Sequence, residues 1–314
     1  MNILLRLKHS IALWLEKVDP YYTQRIILRK GLFLAVLMTA INWIAKPDVF
    51  GAYAVPAMLL AGFYELPSLN TYKQKDQALV FGFIVSGIGC VTFYLLFPFK
   101  FTLLFFALAH FTALYFFSDR YFPKFKPLVL QTIVVSAINM TILPAASLQI
   151  AIDMFFCVML SLMVTFIAFK IHPNLYAKVW HRAFSYYLAA VVEEIGHAIN
   201  KFDTHTFATG AAHLNVLRAY RRLLPRKLLL NITKTTVNIR NIQFALNHIY
   251  LKDKDEQFWY NFQKEVNTFR LAVIAKNSLN LPLTNKSKTD FTQNYVTESL
   301  QKSINNWNKI CKQV

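Results

Sequence analysis

Six apolar runs alternate with short polar turns through the first half of the chain. They occupy residues 30–45, 51–67, 78–98, 101–117, 127–144 and 148–169. A helix needs about 20 mostly apolar residues, and at least ~17, to cross the hydrocarbon core of a bilayer. The first two runs are near that lower limit and the last is the longest. The pattern therefore predicts six transmembrane helices.

The second and third runs form a hairpin, residues 51–98, whose polar turn contains Lys73 and Lys75. Turns that carry lysine tend to stay in the cytoplasm, so this turn orients the hairpin. In the third run Gly82, Ser86 and Gly89 recur at helical spacing and lie on one face. Small residues let a neighbouring helix approach closely in lipid, which predicts a helix-packing face rather than a pore lining.

After His172-Pro173 the apolar runs give way to amphipathic helical spacing with many charged residues. The segments with this spacing are 174–202, 206–224, 226–250, 258–280 and 291–311. They predict a cytoplasmic bundle of about five helices. The predicted fold class is therefore an all-α membrane protein, with six transmembrane helices followed by a cytoplasmic helical bundle.

The first eighteen residues mix apolar and basic positions at helical spacing. They contain neither the unbroken apolar core nor the small-residue cleavage site of a signal peptide. An amphipathic helix on the inner membrane surface is the predicted structure. The predicted domains are thus this N-terminal helix (1–24), a six-span domain (25–170) and a cytoplasmic domain (171–314).

Basic residues are distributed unevenly about the six runs, within a formal net charge of +18. The N-terminal segment and the two predicted inner loops hold eleven Lys and Arg residues, whereas the outer turns hold Lys46 and Lys100. Lysine and arginine accumulate on the cytoplasmic side of membrane proteins. The distribution predicts a multi-pass protein of the cytoplasmic (inner) membrane with both termini in the cytoplasm.

The excess of positive charge favours anionic membrane lipids as a partner over nucleic acid, because no nucleic-acid-binding motif accompanies it. Three cysteines, at 90, 157 and 311, have neither disulfide nor metal-site spacing. Glu193, Glu194 and His197 have carboxylate–imidazole spacing, but a metal site needs a second such motif. The sequence therefore predicts no nucleic acid, no metal, no cofactor and no enzymatic activity.

Polar and ionisable residues inside the predicted spans are few. The candidates for a substrate or proton pathway are Asp153, His110, Glu65, Asn42, Asn139 and Tyr53. A charged aspartate at the centre of a span costs about 2.5–3.5 kcal/mol, so such residues often serve a function. Asp153 and Glu65 also lie near enough to span ends for solvation by headgroups, and both interpretations stay open. A second set of candidates for attracting an anion to the inner mouth is Arg29, Lys30, Lys73 and Lys75.

The layout resembles the fusaric acid resistance and aromatic acid exporter superfamily. Three stretches carry the resemblance: RKGLFLAVLMTAINWI, YAVPAMLLAGFYELPSLN and KQKDQALVFGFIVSGIG. Asp76-Gln77 stands where an arginine often precedes the third span in that family. The chain also resembles a half-size plan, with a single six-span module, similar to that of aluminium-activated malate transporters.

The resemblance implies a transporter that exports aromatic or other organic carboxylates, works as a homo-oligomer and has a periplasmic adaptor protein as a partner. Two alternatives stay open at the level of the sequence. One is a passive anion channel. The other is a non-transporting membrane scaffold or sensor whose cytoplasmic bundle binds a partner.

Overall fold

The computed structural model describes residues 3–126, 129–130, 147–199, 208–249, 255–281 and 291–313. It is 85% helical and has no strand in these residues, which confirms the predicted all-α class. The chain divides into two compact units. The central unit is Gln24–Asn174, and the terminal unit combines Met1–Thr23 with Leu175–Val314.

The helices are numbered in chain order. In chain order the first six are α1 (Ile3–Val18), α2 (Thr23–Ala45), α3 (Phe50–Phe63), α4 (Tyr72–Leu96), α5 (Lys100–Tyr121) and α6 (Leu148–Ile171). The next five are α7 (Tyr176–Ile199), α8 (Ala208–Arg221), α9 (Arg226–Ile249), α10 (Glu256–Ala275) and α11 (Phe291–Cys311). A short 3₁₀ turn, Pro123–Phe125, follows α5.

Four of these helices, α2, α4, α5 and α6, are long and apolar enough to cross a membrane. A multi-pass membrane protein has such helices. The run predicted over 51–67 is shorter in the structure, because α3 has 14 residues and ends at Phe63. At 1.5 Å per residue it is about 21 Å long, less than the ~30 Å of a bilayer core. Of the span predicted over 127–144, all but residues 129–130 lies outside the described residues.

The core of the central unit lies where α3, α4 and α6 pack together. Gly82, Ser86 and Gly89 of α4 are all buried. A Cβ atom on Gly82 would lie 2.6 Å from Cδ2 of Leu60 in α3. One added to Gly87, a glycine in the same helix, would lie 3.2 Å from Cγ1 of Val158 in α6. Small residues therefore bring α4 close to two neighbouring helices.

We expect Gly82→Ala to lower the free energy of unfolding of the central unit by about 1–3 kcal/mol, the usual cost of overpacking. The whole end of the Leu60 side chain must move, since Cδ1 would also be only 3.1 Å away. Equilibrium unfolding in mixed micelles measures the change. Gly62→Ala is the matched control, because an added Cβ there meets nothing within 4 Å. In a Leu60→Ala background the penalty of Gly82→Ala should disappear; an unchanged penalty would contradict the packing explanation.

In the terminal unit, amphipathic helices pack around α7, whose apolar side chains are buried. The chain before α2 joins this unit through specific polar contacts. Tyr21 Oη lies 2.6 Å from His213 Nδ1 in α8, and Arg182 Nη2 lies 3.3 Å from Glu16 Oε1 in α1. The side chain of Trp14 is exposed on α1. The predicted location of α1 on a membrane surface stays a prediction.

A buried polar network links α7, α8 and α9 in this unit. Tyr187 Oη donates a hydrogen bond to Gln243 Oε1 at 2.7 Å, and Gln243 Nε2 donates to Glu194 Oε1 at 2.8 Å. A Cβ on Gly210 would lie 2.8 Å from Gln243 Nε2. A methyl group at this position would therefore displace the Gln243 side chain from the network. Burial raises the pKa of Glu194 to about 7.

Candidate functional site

Three charged side chains of the central unit meet in its interior and form what we call the charged cluster: Lys30, Glu65 and Lys75. Lys30 belongs to a buried stripe of α2 that also contains Ile26, Leu34 and Met38. Glu65 lies just beyond the end of α3, and Lys75 lies in the first turn of α4. Helix packing thus brings together residues that are 35 and 10 positions apart along the chain.

Each oxygen of the Glu65 carboxylate forms an ion pair with one lysine. Lys30 Nζ lies 2.5 Å from Oε1, and Lys75 Nζ lies 3.2 Å from Oε2. Lys75 Nζ also donates a hydrogen bond to the backbone carbonyl oxygen of Tyr64. That carbonyl belongs to the end of α3, where backbone oxygens lack helical partners. The side chains are 7%, 3% and 1% exposed for Lys30, Glu65 and Lys75, so the ion pairs are buried.

Aromatic rings form one wall of the charged cluster. Lys30 Nζ and Lys75 Nζ lie 5.1 and 5.0 Å from the centroid of the Tyr64 ring. The Phe169 ring of α6 packs on Tyr64 with centroids 4.5 Å apart, and it lies 5.9 Å from Lys30 Nζ. An ammonium group within about 6 Å of an aromatic face is attracted by the quadrupole of the ring. The site therefore combines positive charge with flat apolar surface.

An outer ion pair continues the charged cluster toward the surface of the central unit. Tyr64 Oη donates a hydrogen bond to Asp76 Oδ1 at 3.2 Å, and Lys170 Nζ lies 2.7 Å from Asp76 Oδ2. The side chain of Lys170 is 44% exposed. Together the inner and outer groups comprise three lysines and two carboxylates. This set carries one excess positive charge when all five groups are ionised.

Burying these charges is costly, which makes the arrangement informative. Taking an ion out of water costs several kcal/mol, and the attraction between partners offsets this only with good geometry and further hydrogen bonds. Hydrophobic side chains of similar volume commonly give equal or greater stability at such positions. A buried ion triad between apolar helices is therefore a candidate functional site in its own right.

Two of the other predicted pathway residues line a cavity between α2 and α3. Asn42 and Tyr53 contribute to its wall, and its volume is about 350 Å³. Tyr53 is fully buried, and its hydroxyl donates a hydrogen bond to the backbone carbonyl oxygen of Met38 at 3.0 Å. The rest of the wall is largely apolar. The hydroxyl thus holds α3 against α2 at this point.

The remaining predicted pathway residues lie away from the charged cluster. Asp153 is half-buried in α6, close enough to Cys157 to interact with it electrostatically. His110 is half-buried among aromatic rings in α5 and α4, with its ring 5.5 Å from that of Phe106 and 5.8 Å from that of Phe93. Asn139 lies outside the described residues. The structure does not bring Asp153 or His110 into the cluster.

The four basic residues predicted at the inner mouth differ in burial. Arg29 and Lys73 are exposed, as a role in attracting anions requires. Lys30 and Lys75, one and two positions further along, belong to the charged cluster. Tyr64, Asp76, Phe169 and Lys170 were not predicted as site residues. The sequence signal that points to Lys30 is its place on an otherwise apolar stripe.

No group of three or more His, Cys, Asp or Glu side chains is placed to hold a metal ion in the part of the chain that the structure describes. The chain matches no protein-family model, and no curated protein or solved structure is significantly similar to it.

Proposed function

We propose that this protein is a membrane transporter that exports aromatic or other organic carboxylates. The charged cluster is the observation that carries the proposal. It places two lysines and a net positive charge beside two aromatic rings, within a unit of long apolar helices. A carboxylate pairs with lysine, and an aromatic body packs on a ring face. The cluster therefore offers both halves of the binding site that an aromatic carboxylate needs.

The cluster also provides a way to free its lysines from their ion pairs with Glu65. In the proposed mechanism, the substrate carboxylate replaces the Glu65 carboxylate as the partner of Lys30 and Lys75. Glu65 takes up a proton as it loses the lysines, so that no uncompensated negative charge stays buried. Loss of that proton restores the ion pairs and expels the anion. In this scheme the organic anion and one proton are bound together and released together.

Helix contacts support six spans with both termini in the cytoplasm as the proposed topology. Phe125, after α5, packs on Phe81 near the start of α4, with ring centroids 5.7 Å apart. Leu148, at the start of α6, lines a groove together with Leu95 at the far end of α4. Phe125 and Leu148 thus lie toward opposite ends of α4, as the proposed fifth span requires. In this arrangement α3 is a short span, which requires local thinning of the bilayer.

Contacts within the terminal unit support the same topology. The ion pair between Glu16 and Arg182 joins the chain that precedes the central unit to the chain that follows it. In the proposed topology both segments lie on one side of the membrane, so the number of crossings between them is even. With the excess of Lys and Arg in the terminal segments, the cytoplasmic side is the proposed one.

We expect cells that express the protein to extrude aromatic acids faster than matched cells without it, and Lys75→Gln to reduce that efflux by about tenfold or more. Removing one partner of a hydrogen-bonded buried charge pair commonly costs this much in binding. Lys100→Gln is the control, since Lys100 is an exposed lysine at the start of α5 and is not one of the candidate site residues. Efflux of loaded aromatic acids is measured alongside the amount of folded protein in the membrane.

Absence of efflux for every acid tested, with wild-type protein present in the membrane, would overturn the proposal. Reconstitution into liposomes with a pH gradient then separates an exporter from a channel. Anion flux that follows the proton gradient supports the exporter. Current that flows down the anion gradient regardless of pH identifies a passive channel.

A further inference from the structure

The terminal unit contains a cavity of two adjoining chambers. The inner chamber has a volume of about 190 Å³ and the outer about 520 Å³. They share Lys178, His181 and Lys276, so they adjoin at these residues. The inner walls are mostly apolar and include Trp180 and Trp307. An apolar cavity of about 150 Å³ is large enough to hold benzene, so the inner chamber accommodates an aromatic ring.

The outer chamber is strongly basic. Lys178 and Arg182 project into it from successive turns of α7, and Arg270 and Lys276 line it from α10 and the residue that follows it. Glu16 is the carboxylate in its wall, and it lies 3.3 Å from Arg182 Nη2. Four basic side chains thus face one acidic side chain in this wall. Such a concave surface concentrates small anions.

Hydrogen bonds between the helices hold the wall between the chambers in place. His181 Nε2 lies 2.6 Å from the carbonyl oxygen of Val273, so this nitrogen carries the proton and donates it. Trp307 Nε1 donates a hydrogen bond to the carbonyl oxygen of Asn277 at 2.9 Å. Burial lowers the pKa of His181, and the nearby charges of Lys276 and Arg182 lower it further. The imidazole is therefore neutral at neutral pH, and the positive field in the cavity comes from the lysines and arginines.

Lys276 has a backbone conformation that its residue type rarely adopts. Its φ of 58° places it in the left-handed region as the C-cap of α10, where glycine or asparagine is usual. A residue with a Cβ atom pays about 1 kcal/mol or more to adopt this conformation. Strained positions of this kind tend to occur at ligand sites, and here the strained residue presents an ammonium group to the junction of the two chambers.

We infer that this cavity binds a small aromatic carboxylate, with its ring in the inner chamber beside Trp180 and Trp307 and its carboxylate among the basic side chains of the outer chamber. The inference stands on the terminal unit alone and does not depend on transport by the central unit. It gives the terminal unit a binding function of its own, with the site shaped for an anion attached to one ring.

Titration calorimetry of the full chain in lipid nanodiscs tests the inference, with phenylacetate as the probe and phenylacetamide as its neutral counterpart. We expect phenylacetate to bind about tenfold or more tightly than phenylacetamide, because charge-assisted hydrogen bonds are the strong ones. Empty nanodiscs provide the blank for partition into lipid. Equal affinity for the two compounds, or no binding of phenylacetate beyond the blank, would overturn the inference.

Two variants locate the bound probe. Lys276→Asn removes one charge while keeping a residue that tolerates the left-handed conformation, and it should weaken phenylacetate binding by about three- to tenfold. Ala177→Phe fills part of the inner chamber from an exposed position and should also weaken binding. Lys264→Gln, an exposed lysine of α10 outside the cavity wall, should leave binding unchanged. Binding that survives both cavity variants would place the probe elsewhere and refute the site.

Discussion

Replacing Glu65 by glutamine is expected to lower the free energy of unfolding of the central unit by about 3–5 kcal/mol. Glutamine keeps the size of the side chain but removes the negative charge. It leaves Lys30 and Lys75, which are 7% and 1% exposed, without the carboxylate that now lies between them. Removing one partner of a buried ion pair commonly costs this much, because the remaining charge stays buried. Equilibrium unfolding in mixed micelles gives the difference between variant and wild type.

Asp119→Asn is the control for this substitution. Asp119 pairs with Lys126 at 2.8 Å, but both side chains are about half exposed. Ion pairs in contact with water contribute little to stability. We therefore expect this change to have a small effect although it also removes one carboxylate from a lysine. A Glu65 variant as stable as the Asp119 variant would show that water reaches the charged cluster.

A triple replacement separates stability from function. Changing Lys30 and Lys75 to methionine and Glu65 to leucine removes all three charges and keeps much of the volume. Because hydrophobic replacements of buried ion groups are often neutral or stabilising, this variant should recover most of the stability lost in Glu65→Gln. It should nevertheless have no efflux activity, since the proposed site for the anion is gone. A folded triple variant that exports normally would exclude the cluster as the transport site.

The second large expected effect is a loss of stability of the terminal unit as the pH rises. Burial raises the pKa of Glu194 to about 7 from an ordinary value of 4.5. The folded protein therefore binds this proton more tightly than the unfolded chain. The resulting stabilisation is fully present below about pH 4.5 and is lost as the pH rises through about 7, and its size is about 3 kcal/mol.

Unfolding followed by tryptophan fluorescence between about pH 5 and about pH 8 measures this change. Three buried tryptophans, Trp180, Trp259 and Trp307, report on the terminal unit. Glu194→Gln should remove the fall in stability near pH 7, because that fall comes from ionisation of Glu194. Glu193→Gln is the matched control, because the neighbouring Glu193 is exposed. The same pH dependence in wild type and Glu194→Gln would assign it to another group.

Much of the helical architecture was accessible from the sequence, because helix length and period depend on local patterns. The runs over 78–98 and 101–117 correspond to α4 and α5, and the small residues of α4 are buried as their spacing predicts. The start of α4 was placed six residues late. Its first turns are polar because they carry Lys75 and Asp76, whose partners lie on other helices. A prediction from hydropathy alone leaves these polar residues out of a membrane-spanning helix.

The charged cluster was harder to predict from the sequence, because its members come from different parts of the chain. Glu65 and Lys30 were each recognised as candidates. No pattern in the sequence near either residue indicates that Lys30 Nζ lies 2.5 Å from Glu65 Oε1. Pairing across helices depends on which faces meet, and that is a property of packing. One local sign existed, since Lys30 follows Ile26 and precedes Leu34 at four-residue intervals. A lone charge on an apolar stripe is buried only with a partner.

The discontinuous terminal unit has a consequence for how the protein is made. Residues 1–23 are synthesised before the central unit, whereas the helices that they contact begin after Leu175. At about 5–20 residues per second, synthesis of the intervening chain takes ~8–30 s. During that time Tyr22, which is buried in the folded terminal unit, has no folded partner to pack against. Assembly of the terminal unit therefore comes after synthesis of the central unit.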